Sequence, residues 1–423
     1  MRILGITETC DLGSLYLRLI AEGHEVRVTV SEPLAAGTMA GMVPRAENWR
    51  DELAWVREAG DDGLIVFEAV GFGLLQDQLR SEGYNVIGGS AFGDRLENGR
   101  GYAQELLAGL GLPTAPTVEF ANAATAIADL RARPRRTVFK LSASAGETFA
   151  GQEPDGSDIA ALLEARSAEP DERFVLMDFV EGIETGVGAY FDGEQFLLPA
   201  CIDWEHKRFF AGDMGELTGE MGTVATYDGS ARLAETCLKP LEPRLRRAGH
   251  VGYVNLNTII NDEGVWPLEF TCRFGYPGFA VLEPLQALGW GELFRTMIAR
   301  EGEAFPARSG FSACVVLTTP PFPWSRKELE CPIGFPIRTG EIEPEHLHWG
   351  EVGLVDGRMV TAGLYGWTAV VTGTGATVPQ ARDAAYERAR QVRCANMRYR
   401  LDIGEKLIAA DLERLRDWGW LDG

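Results

Sequence analysis

The sequence predicts a multidomain protein of mixed α/β and α+β class: a parallel α/β layer first, a larger mixed domain in the middle, and a mixed α+β domain at the end. Three observations carry that expectation. The chain has 423 residues, beyond the ~250 to 300 at which a single core stops growing. Residues 1–95 alternate strand and helix patterns. The pattern then breaks at Gly111-Leu112-Pro113 and changes texture again from Ser312 onward.

Arg2 to Ile6 is an apolar strand, Leu12, Leu15, Leu17, Leu19 and Ile20 mark a helix ending at Gly23, and Val26, Val28 and Val30 alternate as a second strand. A helix from Asn48 to Ala59, a strand Leu64 to Phe67, a helix Leu74 to Arg80 and a strand Tyr84 to Ile87 complete the N-terminal domain, 1–95. Ligands in such sheets sit at the carboxyl ends of strands, which points to the turn Thr7-Glu8-Thr9-Cys10-Asp11-Leu12-Gly13. With one glycine, two carboxylates and no GxGxxG it is a poor phosphate cradle, which argues against a dinucleotide site.

A helix from Leu96 to Ala108 carries Arg100 and opens the middle domain, 96–310, within which 118–185 reads as a lid subdomain. The strand Thr137 to Lys140 runs into small residues around Ser144 and Gly146; such a loop either admits phosphate to backbone N–H groups with Lys140 as point charge, or is a plain hairpin. Phe174 to Val180 is a buried-type strand, after which Glu184 is either a ribose ligand or a solvated turn residue. Asp203 to Phe210, with Glu205, His206, Lys207 and Arg208, leads into a stretch with four glycines and reads as a mobile anion-handling loop, or as a solvated charge run.

A helix from Ala231 to Ala248 precedes the strand Gly252 to Ile260, with Asn255 and Asn257 on one face. The turn 261–264 then returns the chain as a hairpin into Trp266 to Gly278, WPLEFTCRFGYPG. There a carboxylate, Glu269, and a guanidinium, Arg273, flank a strand end, a pairing that can hold a cation beside an anion as magnesium-nucleotide chemistry requires. The alternative is a core strand whose Glu269 and Arg273 pair with each other. The hairpin brings Asn255 or Asn257 toward Glu269. The last domain, 311–423, reads as strands, a Pro-rich turn and a helix Val378 to Arg398; His346 and His348 in it read as structural.

Composition narrows the partners. Net charge is −22, with 62 acidic and 40 basic residues, so nucleic acid and anionic membrane are excluded as partners by repulsion, and small-molecule substrates fit. Seven scattered cysteines without a CxxC pair give neither a disulfide framework nor a zinc site. No apolar run is long enough to span a membrane. A cytoplasmic monomer or homodimer is expected.

In this order, Arg100, Lys140 with its small-residue loop, Glu184, the Glu-His-Lys-Arg and Thr-Gly-Glu-Met-Gly segments and Leu-Glu-Phe-Thr-Cys-Arg-Phe-Gly resemble an ATP-grasp ligase. The similarity is to the glycinamide ribonucleotide synthetase (phosphoribosylamine–glycine ligase) family, and Thr361 to Val371 is similar to that family's C-terminal domain. The resemblance implies a pre-ATP-grasp domain, an ATP-grasp domain with a mobile lid, and ATP with Mg2+ (or Mn2+) as cofactors. It implies that Arg100, Lys140, Ser144 and Gly146 meet the phosphates, that Met177, Asp178, Phe179 and Val180 lie beside adenine, and that Glu184 holds ribose. Glu269, Thr271 and Asn257 would bind metal; Arg273, Lys207 and Arg208 would be catalytic. Thr271 stands where the family has Asn, with Asn257 to compensate. The family's glycine-rich loop with Arg-Glu-His is replaced by Thr7 to Gly13, and its Asp-Pro-Glu by Tyr276-Pro277-Gly278. The expected activity is therefore amide formation through an acyl phosphate, from an amino-acid-like carboxylate and an amine other than phosphoribosylamine. Authentic phosphoribosylamine–glycine ligation and noncatalytic ATP binding are the alternatives.

Overall fold

A computed structural model describes residues 1–141, 148–166, 173–300, 302, 304–327 and 333–421. Two compact units result: one joins Met1–Glu97, Glu184–Asn257 and Glu269–Gly423, the other Asn98–Ile183 and Thr258–Leu268. The N-terminal and C-terminal segments thus share a unit.

The first unit opens with the expected parallel sheet of β1 (Arg2–Thr7), β2 (Glu25–Val30), β3 (Gly63–Phe67) and β4 (Val86–Ile87), in the order β2-β1-β3-β4. The helix expected from Asn48 forms only over Leu53–Glu58. Asn48 Oδ1 accepts the Arg50 N–H at 3.1 Å, and this side-chain turn competes with the helical bond.

The second unit contains an antiparallel sheet of β5 (Thr117–Phe120), β6 (Thr137–Leu141), β7 (Thr148–Ala150) and β8 (Phe174–Asp178), in the order β5-β8-β6-β7. Phe120, Phe139, Phe174 and Leu176 pack with Ile127 and Ile159 from helices Ala123–Ala132 and Ser157–Ala165. Helix Ala123–Ala132 starts where the Asn122 side chain accepts the Thr125 N–H.

The remaining strands are β9 (Ile183–Phe191), β10 (Cys201–Glu205), β11 (Arg208–Phe210), β12 (Met214–Leu217), β13 (Thr223–Thr226), β14 (Gly252–Ile260), β15 (Val265–Thr271), β16 (Phe311–Thr318), β17 (Leu347–Trp349), β18 (Val352–Val355), β19 (Arg358–Thr361) and β20 (Trp367–Gly375). Eight of them form one sheet in the order β15-β14-β9-β10-β13-β16-β20-β17. Every residue of β16 is buried, which its uninterrupted apolar and small-residue run permits.

Three long helical patterns are shorter in the structure. Leu96 to Ala108 is split at Gly99 into Ala91–Asn98 and Arg100–Gly109. Ala231 to Ala248 is broken into Ala231–Cys237, a turn Lys239–Leu241 and Glu242–Arg247, because Pro240 and Pro243 cannot donate to a preceding turn. Val378 to Arg398 ends at Ala389; beyond it Arg393 bridges Arg338 and Arg398 bridges Thr318, so pairing with distant backbone overrides the local pattern.

Helix Val378–Ala389 lies against β20 at Gly373. A Cβ there would come 2.3 Å from the Ala385 nitrogen and 2.4 Å from the Ala381 oxygen, backbone atoms that cannot yield. Gly373→Ala is expected to destabilise the protein by about 1 to 3 kcal/mol, seen as a lower urea midpoint with the m-value unchanged.

Candidate active site

Strand alternation gathers the polar side chains of the first unit on one sheet face. Asp203 and Glu205 are two apart on β10, with Lys207 following at the same spacing; Asn255 and Asn257 share a face of β14, and Glu269 and Thr271 a face of β15. Glu184 begins this row on β9, followed by Gly186 opposite Asp203. A Cβ at Gly186 would lie 2.1 Å from Asp203 Oδ1, so only glycine leaves room for that carboxylate.

The centre of the group is the Lys207 ammonium. Its Nζ lies 3.1 Å from Glu205, 3.1 Å from Glu269 and 3.4 Å from Glu184. Asn257 Nδ2 donates to Glu205 at 3.2 Å and Glu184 at 3.4 Å, and Asn255 Nδ2 donates to Asp203 at 2.7 Å. Burial works against the Lys207 charge, but Glu205, Glu184 and Glu269 raise its pKa well above the lysine range. Burial, then the neighbouring Glu205, pushes Asp203 up to about 8. Burial likewise raises Glu220 far above the carboxylate range, helped by Glu205 and Asp203. Three buried oxygens, Asp203 Oδ1, Glu220 Oε1 and Asn257 Oδ1, have no hydrogen-bond partner.

These donors are hard oxygens, and the orphaned Asn257 Oδ1 stands among them, so the set suits Mg2+. In this arrangement the carboxylates converge on Lys207, and no three His, Cys, Asp or Glu side chains among the described residues are spaced to hold a metal.

Glu269 and Arg273 do not pair with each other. Arg273 is held by Glu97, with Nη2 at 3.0 Å and Nε at 3.2 Å, while the other Glu97 oxygen accepts the Cys272 N–H at 2.9 Å. Arg273 also faces Asp11 and favours its charged form against burial.

At the end of β1 the chain turns through Cys10, at φ 67, into helix Gly13–Ala21. Glu68, 5% exposed, accepts the N–H groups of Asp11 at 3.0 Å and Leu12 at 2.8 Å. Burial, then Asp11, pushes Glu68 up to about 8 against those bonds. Adjacent N–H groups at a helix entry form an anion nest, and here a carboxylate of the chain fills it. Glu351 repeats the device, accepting the N–H groups of Leu364, Tyr365, Gly366 and Trp367; burial pushes it up to about 7.

The glycine-rich segment after Lys207 folds as the hairpin β11–β12. The Arg208 guanidinium donates to the Gly215 carbonyl at 2.8 Å, within that hairpin rather than toward the Lys207 cluster. The hairpin is anchored: Arg400, 2% exposed, pairs with Asp213 at 2.7 Å and with Asp402, which accepts the Gly212 N–H at 2.8 Å. His206 uses both ring nitrogens structurally, Nδ1 with the Gly222 carbonyl at 3.2 Å and Nε2 with the Gly404 N–H at 3.1 Å; burial and Arg400 push it down to about 4. His346 and His348 are buried, beside Thr372 and Glu283.

In the second unit, Arg100 opens helix Arg100–Gly109 and Lys140 lies buried on β6. Met177 and Asp178 end β8. The Asp178 carboxylate accepts from Arg135 Nε at 2.6 Å, and the Arg136 guanidinium lies 3.6 Å from the Phe179 ring centre. The N–H groups of Asp178 and Phe179 bond to Pro116 and Arg136 carbonyls, which leaves carbonyls and the Val180 backbone as possible readers of a base edge. Ser144 and Gly146 lie outside the described residues.

Sequence reasoning gave no individual role to Asp203 and Glu205, which it named only within a charge run, nor to Glu220, Glu68, Glu97 and Glu351. The two-residue spacing 203, 205, 207 is a usable signal for the first two. Glu68 and Glu97 act 57 and 176 residues away along the chain, and no local pattern marks them.

Residues 99–279 match the model of the phosphoribosylglycinamide synthetase ATP-grasp (A) domain. The phosphoribosylamine–glycine ligase of Rhizobium meliloti (strain 1021) is 30% identical over 388 residues, 86% of this chain and 88% of that one. That of Nostoc sp. (strain PCC 7120) is 31% identical over 350 residues, covering 79% and 81%. Among solved structures, phosphoribosylamine–glycine ligase from Thermotoga maritima has TM-score 0.73 at 22% identity, over 95% of this chain and 100% of the other. L-amino acid ligase from Bacillus licheniformis has TM-score 0.58 at 11% identity, covering 93% and 98%; these two likenesses concern the fold.

The raised carboxyl groups set a pH dependence. From about pH 4 to 8 the folded protein keeps a proton on Asp203 that the unfolded chain releases, so this contribution is complete below the unfolded pKa and lost as pH rises through the folded one. Metal-free protein is expected to lose about 2 to 3 kcal/mol from this group between pH 6 and 9. Asp203→Asn should flatten that part of the slope in urea titrations across the range.

Proposed function

The chain belongs to the phosphoribosylamine–glycine ligase family of ATP-grasp enzymes, and from that premise we propose that it joins an amino-acid-like carboxylate to an unphosphorylated amine. As a family member it is an ADP-forming ligase that makes carbon–nitrogen bonds. The observation that supports the unphosphorylated amine is Glu68 in the nest at the start of helix Gly13–Ala21. A phosphate arriving there would compete with a carboxylate already bonded to the same N–H groups, with Asp11 adding repulsion.

In this reading ATP phosphorylates the carboxylate and the amine attacks the acyl carbon. The C–N bond forms, the C–O bond to phosphate breaks, phosphate leaves with the bonding pair, and the nitrogen's proton passes to solvent. Arg273, oriented by Glu97, faces the acyl phosphate and the oxyanion. Lys207 keeps Glu184, Glu205 and Glu269 oriented and charge-balanced. Glu269, Asn257 and the Thr271 hydroxyl would hold Mg2+, or Mn2+ in its place, which when bound neutralises charge on phosphate oxygens. Arg100, Lys140, Ser144, Gly146 and 177–180 carry nucleotide contacts by resemblance, and Glu184 ribose. Arg208, engaged in its hairpin, is the weakest of the catalytic assignments.

A second reading, phosphoribosylamine–glycine ligation itself, is favoured by the names of the relatives. Titration calorimetry separates the two. Ribose 5-phosphate is expected to bind no tighter than millimolar; micromolar binding would support the second reading. In ADP-release assays with amino acids and unphosphorylated amines, Glu269→Gln should raise the Mg2+ concentration for half-maximal turnover by about tenfold or more, and unchanged Mg2+ dependence removes Glu269 as a ligand.

A further inference from the structure

We propose that the cavity lined by Arg80, Asp192 and Arg300 is a second binding site, apart from the ligase centre, for a small zwitterion of the α-amino-acid class with an aliphatic side chain.

The cavity measures about 250 Å³ and lies within the first unit. Asp192 follows the end of β9 and is fully buried. Its Oδ1 accepts the N–H groups of Glu194 and Gln195, both at 2.8 Å, which closes the turn that follows. Its Oδ2 is buried with no hydrogen-bond partner among the described residues. A buried acceptor left bare costs stability, so an occupant that donates to it is favoured.

Two guanidiniums share the lining. Arg80, 15% exposed, bonds through Nε to the Val86 carbonyl at 3.3 Å, through Nη1 to Asp77 at 3.1 Å and through Nη2 to the Gly89 carbonyl at 2.6 Å. Those bonds fix the fork and leave donors to spare. Arg300 ends helix Trp290–Ala299 in the left-handed conformation, at φ 55, where glycine is usual. Its guanidinium lies along the turn after Asp192: a Cβ on Gly193, itself at φ 102, would come 3.3 Å from Arg300 Nε. The ion pair of Arg300 with Glu194 is long, at 3.4 Å, and half-exposed. Val251, Met297 and Ile298 make the remaining wall apolar.

Charge selects the occupant. An anion alone meets Asp192, a cation alone meets two guanidiniums, and a neutral molecule answers neither. A carboxylate and an ammonium on one carbon answer both, and the apolar wall suits an aliphatic side chain. Pockets for drug-sized ligands begin near about 300 Å³, so the space here is of amino-acid size.

Topology separates this cavity from the Lys207 cluster. Glu184 lies near the start of β9 and Asp192 follows its last residue, so at ~3.3 Å per strand residue the two are about 25 Å apart. Tyr84 and Asn85 line the cavity just ahead of β4, at the N-terminal edge of the parallel sheet, whereas the turn 7–13 follows the carboxyl end of β1.

Titration calorimetry on the full chain without nucleotide tests the site with three probes: L-leucine, 4-methylpentanoate, which lacks the ammonium, and 3-methylbutylamine, which lacks the carboxylate. Leucine is expected to bind at least about tenfold more tightly than either. Asp192→Asn keeps an amide oxygen for the Glu194 and Gln195 N–H groups and should collapse the ratio of leucine to 4-methylpentanoate affinity. Arg300→Gln should collapse the ratio of leucine to 3-methylbutylamine affinity. Partial unfolding would move neither ratio, because it scales all three ligands alike. Arg273→Gln should leave leucine binding unchanged. Absence of leucine binding, equal affinity for the three probes, or either ratio intact in its variant overturns the inference. Loss of leucine binding in Arg273→Gln with Asp192→Asn unaffected places the amino acid at the ligase centre and overturns it as well. Each of these outcomes leaves the ligase reading to the ADP-release assays.

Discussion

The structure around the candidate site depends on the Lys207 ammonium amid Glu184, Glu205 and Glu269. Three carboxylates brought to one sheet face repel one another, and in a medium less polar than water that repulsion would outweigh the packing that gathers them. The ammonium reverses the sign of the interaction, and the Asn257 amide supplies N–H donors to two of the same oxygens. Gly186 then admits Asp203 to the edge of the group. Asp203 and Glu220 have no cation of their own and are pushed toward their neutral forms instead.

Two turns of the same unit are shaped by the complementary device, a buried carboxyl group satisfied by backbone N–H groups. Glu68 fixes the turn after β1, and Glu351 fixes the turn before β20. Each carboxyl group holds its turn through several N–H donors even though burial raises its pKa, and each sets the position of neighbouring residues, Asp11 in one case and Trp367 in the other. Rigidity and specificity are joined here: the same N–H groups cannot also receive a phosphate. In the proposed reading, an acidic chain that has filled its own nest would select against a phosphorylated amine through two effects, occupancy and repulsion.

Much of this was legible in the sequence where the information is local. The parallel N-terminal strands, the hairpin at 261–264 and the shared face of Asn255 and Asn257 follow from alternation and turn chemistry, and β14 and β15 form where the pattern puts them. The resemblance to ATP-grasp ligases rested on side chains spaced along such strands. What sequence reasoning lost depends on distant partners. His206 stands beside two bases in a run that reads as anion-handling or solvated, yet its ring is spent on Gly222 and on Gly404, 198 residues away. The glycine-rich run after Lys207 looks mobile, yet Arg400 anchors it through Asp213. The helix from Val378 stops at Ala389, and Arg393 and Arg398 beyond it bridge Arg338 and the end of β16 at Thr318.

Thr271 is the place where charge and metal have to be considered together. A hydroxyl in place of an amide removes a strong neutral ligand, so holding a divalent cation falls more heavily on the surrounding charge. The three carboxylates on Lys207 leave two negative charges after its own is counted, which one Mg2+ would balance. Asp203 and Glu220, pushed toward their neutral forms by burial, add little to that balance at rest. The standing charge suited to a metal thus follows from which carboxylates reach Lys207.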